Sequence, residues 1–191
     1  MKLASHNSWS YLTPKKWWMK LIKFTAKCQR TNIIEQYLVY DVRYFDLRVR
    51  FDKCNLQVVH GKIIYDISEE ELYKQLRFLN NNEDCVVRVI LDIRDKDKVT
   101  SSSIYSFNHF CDYLVTKYKD ITFVCGECLA TKEVIYDFKQ SVSCEEKYAS
   151  VCKPKLIDDW YPLWYAKRNN HKNIQKGTDK DYLMLDFVDI E

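Results

Sequence analysis

Apolar and charged residues alternate from Tyr44 to Arg50, through Phe45, Asp46, Leu47, Arg48 and Val49. That period of two is the signature of a strand, and it sets Asp46, Arg48 and Arg50 on one face. Asp52, Lys53 and Asn55 are turn formers. A second short strand, 56–59, then leads into His60, and Gly61 frees the backbone to turn. Cys85 to Ile93 is instead a continuous apolar run of strand length, as in a parallel sheet buried on both faces, and it ends in Asp92-Ile93-Arg94. Shorter strand patterns fall at 2–5, 121–124, 134–138, 155–158 and 182–188.

Helical spacing separates these strands. Residues 15–28 follow Pro14, which suits a first turn. Lys16, Lys20, Lys23 and Lys27 share one stripe, and Trp17, Trp18, Leu21, Ile22, Phe24 and Cys28 take the other side. Such a helix either packs its apolar face on the core or lies in a membrane interface. Residues 31–41 form a further helix or irregular turn. Ser68 caps a helix over 68–79, with Glu71 completing a capping box and Leu72, Leu76 and Leu79 turned inward. A helix over 101–118 carries Ile104, Phe107, Phe110, Cys111, Leu114 and Tyr118 on its inner stripe. Helical patterning then fades after about residue 125.

Strands alternating with helices define an α/β protein. The chain's 191 residues make one domain, 1–191. His6, Asp46, Arg48, His60, Arg94, Asp159 and Asp186 all fall at C-terminal strand ends, the rim where (β/α) barrels hold their active sites. Barrels of this kind usually take about 250 residues. The expectation is therefore a small or distorted TIM-type barrel, with some helices missing in its C-terminal half.

Composition narrows the function. A net charge of +3, interspersed along the chain, gives no nucleic-acid footprint. Nothing at Met1 to Leu3 reads as a signal peptide, and no run has the ~18 apolar residues of a membrane span. The eight cysteines then fit free thiols in a reducing cytoplasm. Cys125-Gly-Glu-Cys128 has zinc or redox spacing, but Cys144, Cys152 and His171 show no paired spacing to complete four ligands, so no metal is expected.

Ser5-His6-Asn7-Ser8, Phe45-Asp46-Leu47-Arg48, His60-Gly61 and Asp92-Ile93-Arg94 resemble, in order and spacing, the motifs of the phosphatidylinositol-specific phospholipase C X-domain family. The resemblance covers residues 3–95. Later, Asp159-Trp160-Tyr161 is similar to a pocket-lining Asp-x-Tyr, and Asp186-Phe187 to a late-strand Asp that supports the first histidine. Calcium-dependent members carry a Glu-x-Asp pair where this chain has Asp46-Leu47-Arg48, and a Glu at the place of Arg94. Both places are cationic here, so the chain resembles the metal-independent bacterial type, departing from it in having Asn7 for an Asp.

That resemblance implies a phosphodiesterase with no cofactor. His6 is the base with its tautomer fixed by Asp186, Arg48 clamps the phosphate beside Asp46, and His60 is the acid. Asn7, Arg94, Asp159 and Tyr161 would contact substrate. Cleavage through inositol's own hydroxyl would give a cyclic inositol phosphate and diacylglycerol. The substrate would be a phospholipid at a membrane surface, met through Trp17 and Trp18 by a cytoplasmic, peripheral monomer. The alternatives are a metal-dependent glycerophosphodiester phosphodiesterase, a catalytically weak phospholipid- or protein-binding module of the same fold and, further off, cleavage of nucleic-acid phosphodiesters.

Overall fold

The structure is a computed structural model that describes residues 2–53, 55–145 and 161–190. Its first strand, β1 (Lys2–Ser5), pairs in parallel with β2 (Val42–Asp52) on one side. The alternation in β2 works as expected. Phe45, Leu47 and Val49 are fully buried in the main core, while Asp46 and Arg48 face the other way. β3 (Asn55–His60) folds back antiparallel on β2, and β4 (Ile63–Ile64) folds back on β3. β5 (Val86–Leu91) and β6 (Thr122–Cys128) extend the parallel set, and β7 (Glu133–Val134) adds a short antiparallel edge. On the other flank, β8 (Cys144–Glu145) pairs with β9 (Tyr182–Leu185), which lies beside β1. The path runs β7-β6-β5-β2-β1-β9-β8. Among the described residues β7 and β8 do not pair, so the expected small or distorted TIM-type barrel is corrected to an open α/β sheet. The strand pattern at 155–158 lies outside the described residues.

Five helices accompany the sheet among the described residues. α1 (Trp17–Ile22) is much shorter than the expected 15–28. It tightens into a 3-10 turn over Lys23–Thr25, and the Ser10 hydroxyl then accepts the Cys28 and Gln29 amides, pulling the chain off the helical path. α2 (Ile33–Leu38) is closed by a reciprocal Asn32–Glu35 capping box. α3 (Glu69–Asn80) has the Ser68 cap, but the Glu71 carboxylate accepts from Gln75 Nε2, so the expected box is half made. α4 (Ser101–Lys117) buries Phe107, Phe110, Cys111 and Leu114 as its stripe requires. With α3 it covers the sheet face bearing Val87, Val89 and Leu91. α5 (Pro162–Lys176) is a full helix where patterning had faded. The opposite sheet face holds Ala4, Tyr44, Val86, Val124, Tyr182 and Met184.

The expected strand over 134–138 shrinks to two residues. Gly126, at φ +69°, lets β6 turn so that its carbonyl takes the Ile135 and Tyr136 amides; a Cβ there would sit 1.9 Å from the Tyr136 carbonyl oxygen.

Candidate functional site

The parallel strands bring their C-terminal ends together. β1 ends next to His6, β9 next to Asp186, β2 carries Asp46 and Arg48, β3 ends in His60, and β5 leads into Asp92. Parallel pairing sets the ends of β1, β5 and β9 on one rim, while Asp46 and Arg48 lie partway along β2, and antiparallel β3 returns along β2 to bring His60 back beside them.

His6 sits between two charges. Its Nδ1 lies 2.8 Å from Asp186 Oδ1, and its Nε2 lies 2.8 Å from Arg48 Nη2. A carboxylate can only accept and a guanidinium can only donate, so these partners place the ring proton on Nδ1 and a lone pair on Nε2. Arg48 Nε donates to Asp46 Oδ2 at 3.0 Å, and the Asn7 amide donates to the same oxygen at 3.0 Å. Burial alone would raise the Asp46 carboxyl. Arg48, then Arg88 and His6, with the Asn7 amide, reverse this and hold it well below the usual carboxylate range. Asp46 in turn keeps buried Arg48 firmly charged.

His60 stands opposite, its ring centroid 6.0 Å from that of His6 and nearly perpendicular to it. Its Nδ1 donates to the Ala26 carbonyl at 3.0 Å, which leaves a lone pair on Nε2. The same carbonyl accepts from Tyr65 Oη at 3.2 Å and Asn7 Nδ2 at 3.4 Å. Burial, then the charges of Arg48 and His6, push His60 down to about 3. A neutral carbonyl thus stands where a carboxylate would raise it. Next door, the Gly61 amide donates to Asp92 Oδ2 at 2.8 Å, and Arg94 Nε approaches Asp92 Oδ1 at 3.3 Å. Burial would raise Asp92, but the Gly61 amide, Arg94 and Arg48 hold it low. A cavity of about 510 Å³ opens on this side, lined by Ile22, Thr25, His60, Lys62 and Arg94 among others.

His6, Asp46, Arg48, His60 and Asp186 are therefore brought together, with Arg94 at the mouth. Asn7 is buried behind His60, at φ +45°, and meets Asp46 and Ala26. Tyr161 stands apart in an aromatic stack, 5.5 Å from Phe24 and 5.4 Å from Trp164 between centroids. Asp159 lies outside the described residues. Trp17 is 75% exposed, and Trp18 is also exposed. Among the described residues, Cys125 and Cys128 join no cluster of metal-ligand spacing.

Several contributors escaped sequence reasoning. Arg88 pairs with Asp46 in the β2–β5 register, and its only sequence signal is a lone cation in an apolar strand. Asp92, quoted in its motif but given no role there, anchors Gly61 and Arg94. Gln29 Nε2 donates to the Leu185 and His6 carbonyls, at 3.0 and 3.2 Å, and its Oε1 accepts the Val188 amide, tying the His6 and Asp186 strand ends together. No period marks such a residue.

No family model matches the chain, and no curated protein sequence matches it either. In fold it is similar to the phosphatidylinositol-specific phospholipase C of Listeria monocytogenes, with a TM-score of 0.54 over 97% of this chain and 87% of the other, at 15% identity. At that identity the likeness establishes a shared α/β phospholipase C-like fold.

Proposed function

We propose that this protein is a phosphodiesterase that cleaves a glycerophospholipid head group by two-histidine acid–base chemistry, in the manner of a metal-independent phosphatidylinositol-specific phospholipase C. One observation carries the reading: the His6 and His60 rings stand 6.0 Å apart with Arg48 bonded to His6 Nε2 at 2.8 Å. A phosphate seated between them would meet a guanidinium and two imidazoles at once. His6 Nε2 holds the lone pair that takes the proton of an attacking hydroxyl, and Asp186 stabilises the imidazolium that results. Arg48, bound to Asp46, presents charge to the phosphoryl oxygens. His60 protonates the leaving oxygen, and the arriving anion favours its charged form by offsetting Arg48. Arg94 contacts the head group, and the resemblance implies the same role for Asp159 and Tyr161, whereas buried Asn7 holds Asp46 through its amide. With inositol's own hydroxyl as nucleophile, the products are a cyclic inositol phosphate and diacylglycerol.

The surface supports a bilayer substrate. Trp17 and Leu21 of α1 and Phe24 of the following turn are 75%, 67% and 50% exposed, with Lys16 and Lys20 exposed beside them, so part of the apolar side stays uncovered. Each basic residue near an anionic leaflet contributes about 1 kcal/mol. No described helix is long and apolar enough to cross a membrane, and we place the protein as a cytoplasmic monomer binding peripherally. The metal-dependent glycerophosphodiester reading needs acidic ligands at β2, and there Asp46 Oδ2 is taken by Arg48 and the Asn7 amide, with the Arg48 guanidinium standing where a cation would bind. One observation favours a catalytically weak phospholipid-binding module: the Ala26 carbonyl gives His60 no charge to stabilise an imidazolium.

The test is a panel of phospholipid vesicles, with and without chelator, assayed for cyclic phosphate. We expect product from phosphatidylinositol in both conditions. His6→Ala and His60→Ala should each lower turnover by about 100-fold or more. Turnover untouched by either change sinks the reading; vesicle binding without any product selects the binding module.

A further inference from the structure

We propose that His6, Cys28 and Asp186 form an inhibitory site for a thiophilic divalent cation, of which Zn2+ is the type. The ligand atoms these residues offer, one from each, all lie within 4.8 Å of one another. Cys28 and Asp186 are fully buried, and the His6 side chain is largely so. Their backbones are tied to each other independently of any ion. The Phe187 amide donates to the Cys28 carbonyl at 2.5 Å, the His6 amide donates to the Leu185 carbonyl at 2.9 Å, and Gln29 bridges Leu185 and His6. The three side chains are thus held at one spot by the same bonds that hold the strand ends.

The donor set fits zinc better than a hard cation. Thiolate, imidazole and carboxylate are all zinc ligands, and three of them with an open fourth position form a complete protein contribution. Calcium and magnesium want oxygen alone, and a thiolate excludes them. Charge balances: the thiolate and the carboxylate neutralise the ion, and Cys28 gives its thiol proton to solvent on binding. Arg48 bonds the opposite ring nitrogen of His6, so the guanidinium does not occupy the Nδ1 edge.

Binding there would disarm His6. A cation on Nδ1 needs the lone pair that the ring proton now covers, so that proton moves to Nε2. Nε2 then carries a hydrogen in place of the lone pair that accepts from Arg48 and that the proposed reaction uses. The inhibition rests on the phosphodiesterase reading, whereas the binding does not.

The experiment titrates the reduced, metal-free full chain with Co2+, followed by Zn2+ competition. We expect one Co2+ per chain, a near-ultraviolet sulfur-to-cobalt charge-transfer band, and its loss as Zn2+ displaces Co2+. Cys28→Ser should abolish the band and weaken Zn2+ binding by about 100-fold, at the upper end of what losing even a supporting contact costs. Cys125→Ser/Cys128→Ser should keep both. Cys28→Ala with a thermal melt shows that the loss is not unfolding. In the vesicle assay, Zn2+ should stop wild-type turnover and spare Cys28→Ser, which retains its basal rate. A band that survives Cys28→Ser, or the absence of one-to-one binding, overturns the site. Absence of product from metal-free wild type overturns the phosphodiesterase reading and leaves the absorbance result to stand or fall by itself.

Discussion

At the scale of single residues, His60 is the group whose surroundings make the sharpest demand. Its folded value of about 3 lies below the ordinary 6.5. Between those values the unfolded chain binds a proton that the folded chain refuses, so stability rises with pH through this window. The contribution is fully present above about 6.5 and is lost as pH falls toward 3. Asp46 and Asp92 are also held low, and their like-signed loss begins only near the ordinary carboxylate value of 3.8. After allowance for solvent screening, His60 should account for on the order of 1–3 kcal/mol between pH 6.5 and 4.5. His60→Asn should flatten denaturant midpoints across that range. An NMR titration should find His60 neutral at pH 5, and protonation at ordinary pH in the free protein would refute the account. Residues of this kind were legible in part. His6, His60 and Asp186 declare themselves as ionisable groups at strand ends, and Asp46 and Arg48 as charges alternating with apolar residues, though they sit partway along β2 and not at the strand end expected of them. Cys28, Gln29 and the Ala26 carbonyl do not, because a thiol, an amide and a backbone oxygen carry no period and act only through what the fold sets beside them.

At the scale of elements, α1 and α5 show how a helix departs from its pattern. α1 buries Met19 and packs Ile22 partly on the core, but it leaves Trp17 and Leu21 outside, with Phe24 of the following turn, so only part of the expected apolar face is covered. Trp17→Ala/Leu21→Ala should therefore change unfolding free energy by no more than about 0.5 kcal/mol, as for ordinary surface substitutions. The same change should weaken sedimentation with anionic vesicles severalfold. An equal loss of stability and binding would show the face to be structural. α5 was hidden for a different reason. Its buried stripe contains Asn169, Asn170 and Asn173, so the helical period is written in amides rather than in apolar residues. Their amide hydrogens are used internally. Asn169 Nδ2 donates to the Tyr165 carbonyl at 3.0 Å, and the two Asn170 Nδ2 hydrogens are shared among the carbonyls of Asp186, Phe187 and Ile190 at 2.8, 3.1 and 2.9 Å. Asn170→Leu strands those acceptors and should cost about 1–3 kcal/mol. Because Asp186 heads that segment, the variant's turnover should fall as well, and Asn170→Ser should recover part of both.

At the scale of the whole molecule, the fold joins the two ends of the chain at its centre. β1 lies between β2 and β9, so the second residue of the chain pairs with Tyr182 and Ser5 with Leu185. The parallel core was legible from its continuous apolar runs and the intervening helices, while closure was not, since a short edge strand such as β7 or β8 carries almost no pattern. His6 and Asp186 meet only when the sequence-distant pair β1–β9 has formed, a contact between residues 180 apart whose loop-closure cost is offset by burying Leu183 and Leu185 in the main core. It follows that β9 is no detachable appendage. Ending the chain at residue 180 removes seven buried residues, 182–188, and the partner of β1, and the product should lose cooperative unfolding altogether. In the intact chain, amide exchange should protect β1, β2, β5 and β9 to the same global free energy, while α1, packed only through Met19 and partly buried Ile22, exchanges at far lower cost. If β9 exchanged with α1 rather than with β2, the His6–Asp186 pair would belong to a locally opening flap, and the site would assemble and dissolve without the rest of the fold.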